Sequence, residues 1–298
     1  SPPLLASQSP LDPTPTIIPV ISSPQGTNTF TPLPPTPTTT PTSTPFPLIN
    51  LNPQVILLAE NLPEPDDLVL APDGAIYLSD VTEGTIKRYT ADGQLELVLA
   101  GLRSPEGMAF LPDGTLVIAE QAANHLVRYD LNSKTLMPFL DLLNQTGNLG
   151  VDNSHWDGTN LVVPDSPNGN VLEVSADGKT VRVLASGLVR PTGAWLEPGG
   201  ALLIADEDGN AVFRLRQDGT LERVADFSIP DDVIEDPNGN IFVVTLGDDA
   251  VHLLTAGTNQ DILLVSGLDN PQGIIFDADG NLIVTDSGNH RLLKVLIH

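Results

Sequence analysis

A tight-turn signal recurs six times along this chain and constrains its fold more than any other feature. It reads Pro72-Asp73-Gly74, Pro112-Asp113-Gly114, Trp156-Asp157-Gly158, Pro198-Gly199-Gly200, Pro237-Asn238-Gly239 and Ala278-Asp279-Gly280. The middle residues are spaced by 40, 44, 42, 39 and 41 positions. Asp-Gly and Asn-Gly pairs supply the positive φ that a tight hairpin needs. Each turn joins two apolar runs. In the second repeat Gly107-Met108-Ala109-Phe110 leads into the turn and residues 115–119 run back. His125-Leu126-Val127-Arg128-Tyr129 then alternates polar and apolar as a half-exposed strand does, and residues 135–140 form an outermost strand. No stretch keeps a helical period over a useful length.

A period near 41 residues with four strands per unit predicts the blades of a β-propeller. The last repeat stops one strand short, and the first begins with a surplus strand, Gln54-Val55-Ile56-Leu57-Leu58-Ala59. Placing that surplus strand on the last blade closes a ring of six. The expected fold is therefore all-β, a six-bladed propeller of four-stranded blades over residues 49–298.

The first 48 residues are unlike the rest. They hold 14 of the 28 prolines and a single charge, Asp12. From Thr27 to Thr44 the chain has nine threonines and five prolines. Proline fixes φ and removes donors, so an extended arm is expected there. Such a Ser/Thr/Pro tract also resembles O-glycosylated surface stalks, with Thr36, Thr38, Thr39, Thr40, Thr42 and Thr44 as acceptor candidates. The β-branched piece containing Ile17, Ile18, Val20 and Ile21 is strand-capable along one edge, since Pro19 removes one donor. The chain begins at Ser1, which reads as a mature exported protein with its signal removed, at the cell surface or outside it.

Charge narrows the partners. With 13 basic and 38 acidic residues the formal charge is −25, which argues against nucleic acid. No apolar run is long enough for a membrane span. Cysteine is absent, which excludes disulfides and thiolate chemistry. No Gly-x-Ser-x-Gly, His-Glu-x-x-His or phosphate-cradling loop occurs.

The propeller topology places two rings of side chains at one rim. At the start of the innermost strands stand Asp66, Glu106, Leu149 or a neighbour, Thr192, Asp231 and Gln272. At the end of the second strands stand Asp80, Glu120, Asp165, Asp206, Thr245 and Asp286. The second ring reads as structural, each Asp capping the backbone of its own turn. Asp73, Asp113, Asp157 and Asp279 read as turn residues. His125 and His290 read as equivalent structural positions. His155 breaks the pattern, as a proton-transfer group or an exposed loop histidine.

Asp286-Ser287-Gly288-Asn289-His290-Arg291 resembles the NHL-repeat signature, with Asn124-His125 at the matching place. The pattern Leu-x-x-Pro-x-Gly, then the turn, then a strand ending in Asp is similar to the gluconolactonase / senescence-marker-protein family. That resemblance implies a divalent cation, Ca²⁺, at the channel mouth. Its implied ligands are Asp66 in place of the family's glutamate, Asn148 as the blade-three asparagine, and Asp231. Thr192 replaces the blade-four asparagine, and a hydroxyl is a poorer Ca²⁺ ligand than an amide carbonyl.

Three functions follow from these readings. The first is a non-enzymatic extracellular propeller that self-assembles into a ring, tube or filament, its arm pairing with a neighbouring blade edge. The second is a Ca²⁺-dependent lactonase acting at the mouth, with Asp231 and His155 as candidate catalytic groups. The third is a surface binding module on a stalk.

Overall fold

The computed structural model describes residues 48–142 and 150–298. The arm residues Ile17, Ile18, Val20 and Ile21, the acceptor threonines from Thr36 to Thr44, and Asn148 lie outside the described residues. Six antiparallel four-stranded sheets are arranged in sequence order, as the turn period predicts. Blade one runs Pro65–Leu70, Ile76–Asp80, Thr85–Tyr89 and Leu95–Ala100, from the channel outward. In its first hairpin the Asp73 carboxylate accepts the Ala75 N–H at 3.1 Å, and Asp113 does the same for Thr115 at 3.1 Å. In the last hairpin Asp277 takes this role, accepting from Asp279 and Asn281 at 2.9 Å. No helix among the described residues is long and apolar enough to cross a membrane.

The ring closes with the early strand. Gln54–Glu60 lies antiparallel on Arg291–Leu296, with Gln54 opposite Leu296 and Glu60 opposite Arg291. Blade six then packs on blade one through Leu62, Leu68, Leu78, Ile283 and Leu292, all buried. Each interface between blades is a similar apolar layer, such as Ile86, Met108, Leu116 and Ile118 between blades one and two. Burial of this kind contributes on the order of 1.5–3 kcal/mol per large side chain, so the core lies between blades rather than at the centre of the disc.

One stitch repeats in all six blades. As the chain leaves each outermost strand, a backbone N–H bonds back to the turn between the second and third strands. Leu102 donates to the Gly84 carbonyl at 3.0 Å, Leu188 to Gly169 at 3.1 Å, and Leu62 to His290 at 3.0 Å. The accepting residue has positive φ: +63° at Gly84, +50° at Asn124 and +60° at His290. His290 is therefore equivalent to Asn124, one position from the sequence expectation. His125 instead sits opposite Glu120, where Arg291 sits opposite Asp286.

Candidate functional site

The channel is lined by the innermost strands, and one backbone irregularity decides what faces it. In blade one Pro65 pairs with Asp80 but Leu68 pairs with Leu78, so three steps on one strand match two on the other. The same bulge occurs in blades two, four, five and six. A bulge breaks the two-residue alternation and re-aims side chains. It follows each strand-opening proline, which has no N–H to give the ladder. Adjacent residues, Asp66 with Asp67 and Asp231 with Asp232, consequently both end up buried at the channel.

The first of each pair lines an acidic mouth of about 210 Å³. Asp66, Glu106, Asp152 and Asp231 come from blades one, two, three and five, and Arg190 is the only basic side chain lining it among the described residues. Blade three supplies Asp152 where the sequence reading placed Leu149 or a neighbour; Leu149 itself lies outside the described residues. Arg190 donates to Asp152 at 2.9 Å and pairs with Glu207, while its Nε–H has no partner. Burial pushes the Asp66 carboxyl up to about 7, against a hydrogen bond from Glu106, and nearby Asp152 and Glu64 raise it further. Burial, then the Asp66 charge, holds Glu106 well above the usual carboxylate range. Asp231 is raised by burial and by Asp152. Asp152 is raised by burial and held down by Arg190.

The second of each pair forms a waist. Around the ring the residues are Asp67, Gly107, Asn153, Gly193, Asp232 and Gly273, so larger and glycine positions alternate. A Cβ on Gly107 would collide with the Asn153 backbone, and one on Gly193 would lie 2.7 Å from an Asp232 carboxylate oxygen. The Asn153 amide donates to Asp67 at 3.2 Å, and Asp232 accepts the Ile274 N–H at 3.1 Å across the blade boundary. Burial pushes Asp232 up to about 7.

Beyond the waist, on the hairpin side, lies a second cavity of about 350 Å³ that shares no lining residue with the first. His155 belongs here. It is a half-buried strand residue with its ring 4.8 Å from Trp195, not an exposed loop histidine. Burial lowers its pKa to about 4, so it is neutral at ordinary pH. His155 and Asp231 thus face different cavities and do not form a proton-transfer pair.

The second ring holds backbone in place, but mostly not the backbone of its own turn that the sequence pattern suggested; Asp80 does that, accepting the Glu83 N–H at 3.0 Å. Asp206 accepts the Arg190 N–H at 2.7 Å, Glu120 the Arg103 N–H at 2.6 Å, and Asp286 the Asp269 N–H at 2.7 Å. These carboxylates tie down the loop leading into their own blade. Glu120 also bonds His125 at 2.5 Å, the counterpart of the 2.6 Å bond between Arg291 and Asp286.

The cation site implied by resemblance is only partly assembled. Asp66 and Asp231 line one cavity and offer hard oxygens of the right kind. The Thr192 hydroxyl is used up, donating to the Asp231 backbone carbonyl at 2.7 Å. Among the described residues no three acidic or histidine side chains gather closely enough to hold one ion. The fixed charge of Arg190 also lies in the mouth. The described residues therefore do not fit the full ligand set.

Fold and site together define a six-bladed propeller with a small acidic channel mouth. Residues 68–256 match the family described as SMP-30/Gluconolactonase/LRE-like region, and the chain belongs to that family. Residues 268–295 match the NHL repeat. A gluconolactonase from Xanthomonas campestris superposes with a TM-score of 0.69 at 16% identity, over 83% of this chain and 90% of that one. A calcium-binding regucalcin from Agrobacterium tumefaciens gives 0.69 at 18%, over 80% and 92%. Virginiamycin B lyase from Staphylococcus aureus gives 0.65 at 14%, over 83% and 99%. At these identities the likeness establishes the fold. No curated protein sequence matches the chain significantly.

Proposed function

We propose that the acidic mouth hydrolyses a small lactone or related ester. The observation that carries this reading is the gathering of the buried Asp66 and Glu106 carboxyls in one small cavity with the Arg190 guanidinium. Two carboxyls buried in one cavity resist ionising together, so one keeps its proton and the mouth holds both an acid and a base. The ionised member takes a proton from water as its oxygen bonds to the ester carbon. The protonated member gives its proton to the departing oxygen as the carbon–oxygen bond breaks, leaving a hydroxy acid from a lactone. Arg190, which lines the same mouth, supplies positive charge beside the oxyanion formed between these events. Family membership, and a gluconolactonase among the similar folds, support the substrate class.

Turnover of a panel of small lactones, followed by proton release, tests the reading. Asp66→Asn and Arg190→Gln are each expected to lower turnover about 100-fold or more. Wild-type rates in both variants would remove it. The same assay with chelator and with added Ca²⁺ shows whether proton sharing or a cation at Asp66 and Asp231 balances the mouth.

The outermost strands favour a second reading. Leu57, Leu97, Val183 and Leu263 on four of them are 51%, 65%, 55% and 55% exposed. Apolar side chains beside an unpaired strand edge suit strand addition, and the segment holding Ile17, Ile18, Val20 and Ile21 of a second copy is the proposed occupant. Full-length protein should then sediment faster than protein lacking residues 1–48, by more than the arm's mass explains.

A further inference from the structure

The cavity on the hairpin side of the waist combines aromatic walls with a single carboxyl. Phe110, Trp156, Trp195 and Phe276 line it, and each is only half-buried, so part of its ring stays open. The Trp195 ring packs against His155 at 4.8 Å and meets Phe276 edge-on at 6.4 Å. Phe276 is itself held edge-on by the fully buried Phe242 at 5.6 Å. The walls are therefore preformed, which lowers the entropy lost when a ligand binds. The volume, about 350 Å³, is within the range of small-molecule sites.

The carboxyl belongs to Asp232, a waist residue that lines the cavity and is 6% exposed. It accepts the Val233 N–H at 2.8 Å and the Ile274 N–H at 3.1 Å, so backbone on two blades fixes its position. Among the described residues no basic side chain pairs with it. The charges facing it across the waist are those of Asp67 and Asp152, both acids. Arg190 is committed to Asp152 and Glu207 in the opposite mouth. His155, the other titratable side chain in the cavity wall, is held neutral by its burial. A buried carboxylate is costly without a counter-charge, and here the counter-charge has to come from outside the chain. Aromatic faces carry negative potential as well, so walls and carboxyl attract the same sign.

We infer that this cavity binds an organic ammonium cation, its charged nitrogen against the Asp232 carboxylate and its apolar body between the aromatic walls. A neutral molecule of the same shape gains the apolar burial but leaves the carboxylate unpaired. An anion is opposed by both walls and carboxyl. The net charge of −25 draws cations to the protein as a whole. This site shares no lining residue with the acidic mouth and stands or falls without the hydrolytic reading.

Tryptophan fluorescence of the full-length protein tests the inference, because the chain's two tryptophans both line this cavity. Three probes share a phenyl body and differ in their heads: 2-phenylethylamine, 2-phenylethanol and 3-phenylpropanoate. At pH 8 the Asp232 carboxyl, whose proton burial retains up to about pH 7, is largely ionised while the amine stays protonated. The amine is expected to saturate a single site, about ten-fold or more tightly than the alcohol, and the propanoate to give no saturable change. Asp232→Asn should bring the amine to within about two-fold of the alcohol, and Asp66→Asn should leave the amine titration within about two-fold of wild type. Three results overturn the inference: no saturable change with the amine, an alcohol or propanoate that binds as tightly, or an amine preference that survives Asp232→Asn. Loss of the amine response in Asp66→Asn also overturns it, by placing the amine in the acidic mouth. The comparison of probes on the unaltered protein needs no variant, so a failure of either variant to fold does not shield the inference.

Discussion

The two mouths of the channel are built from the same six strands, yet one is lined by carboxyls and the other by aromatic rings. In blade one a few steps along one strand lead from Asp66 in the first to Val69 in the second. Position along the strand sets the chemistry, and the bulge after the opening proline is what divides it. Before the waist the chain turns successive acidic residues inward; after it the ordinary alternation returns and apolar residues face the channel. The acidic end is also asymmetric around the ring. Blades four and six place Thr192 and Gln272 where the others place acids, and the lead-in to blade four contributes Arg190 instead.

The largest effect should come from breaking the waist that separates the mouths. Gly107→Val puts a branched side chain against the Asn153 backbone, and a loss of about 3 kcal/mol in urea unfolding is expected. A loss below 1 kcal/mol would mean that the inner strands are looser than their alternation with glycine implies.

Asp66→Asn acts on one mouth alone. It should abolish the pH-dependent part of stability that this carboxyl supplies. Because the folded value, about 7, lies above the ordinary 3.8, the folded chain holds the proton more tightly. The resulting stabilisation is complete below about pH 4 and disappears as pH rises to about 7. The wild-type melting temperature should therefore fall between pH 5 and pH 8. Asp66→Asn should flatten that fall and raise the melting temperature at pH 8, with thermal scans at the two pH values as the measurement.

The opposite mouth titrates in the opposite sense. His155 has a folded value of about 4, below its ordinary 6.5, so its neutral form stabilises the fold above pH 6.5 and that gain is lost as pH falls towards 4. His155→Phe should remove this acid-side loss. The variant should melt higher than wild type at pH 5 and within about 2 °C of it at pH 8, a small change for a ring-for-ring swap that keeps the contact with Trp195. Equal shifts at both pH values would place the effect in packing rather than in charge.

The smallest effect belongs to neither mouth. Asp73→Ala removes one exposed hairpin contact, the bond to Ala75, and an ion pair with Arg88. Exposed pairs of this kind contribute about 0.2–1 kcal/mol, so a change within that range is expected.

Much of this was legible from the turn period. Six Pro-Asp-Gly-type turns and one surplus early strand specify six blades and the way the ring closes, because hairpins and strand pairing are local and repeat without variation. The acidic mouth was legible for Asp66, Glu106 and Asp231, which follow an opening proline or lie in its register. Asp152 escaped because blade three lacks that proline and its turn spacing is stretched to 44. Comparing Val151-Asp152-Asn153 with Pro65-Asp66-Asp67 and Pro230-Asp231-Asp232 would have found it. The waist residues Asp67 and Asp232 escaped for another reason: strict alternation assigns neighbours to opposite faces, and only a bulge lets both turn inward. His155 was misjudged because a lone histidine beside a turn gives no sign of the Trp195 ring that buries it.

The strand that seals the ring has a mechanical consequence. Gln54 is paired with Leu296, so the leading segment enters the closing strand at the same end of the seam from which the last strand runs out to the carboxyl end. Tension applied between the leading segment and the carboxyl end would load that pair first and then each next pair in turn, peeling the seam open as a zipper opens. Heat must instead disrupt whole apolar layers between blades at once.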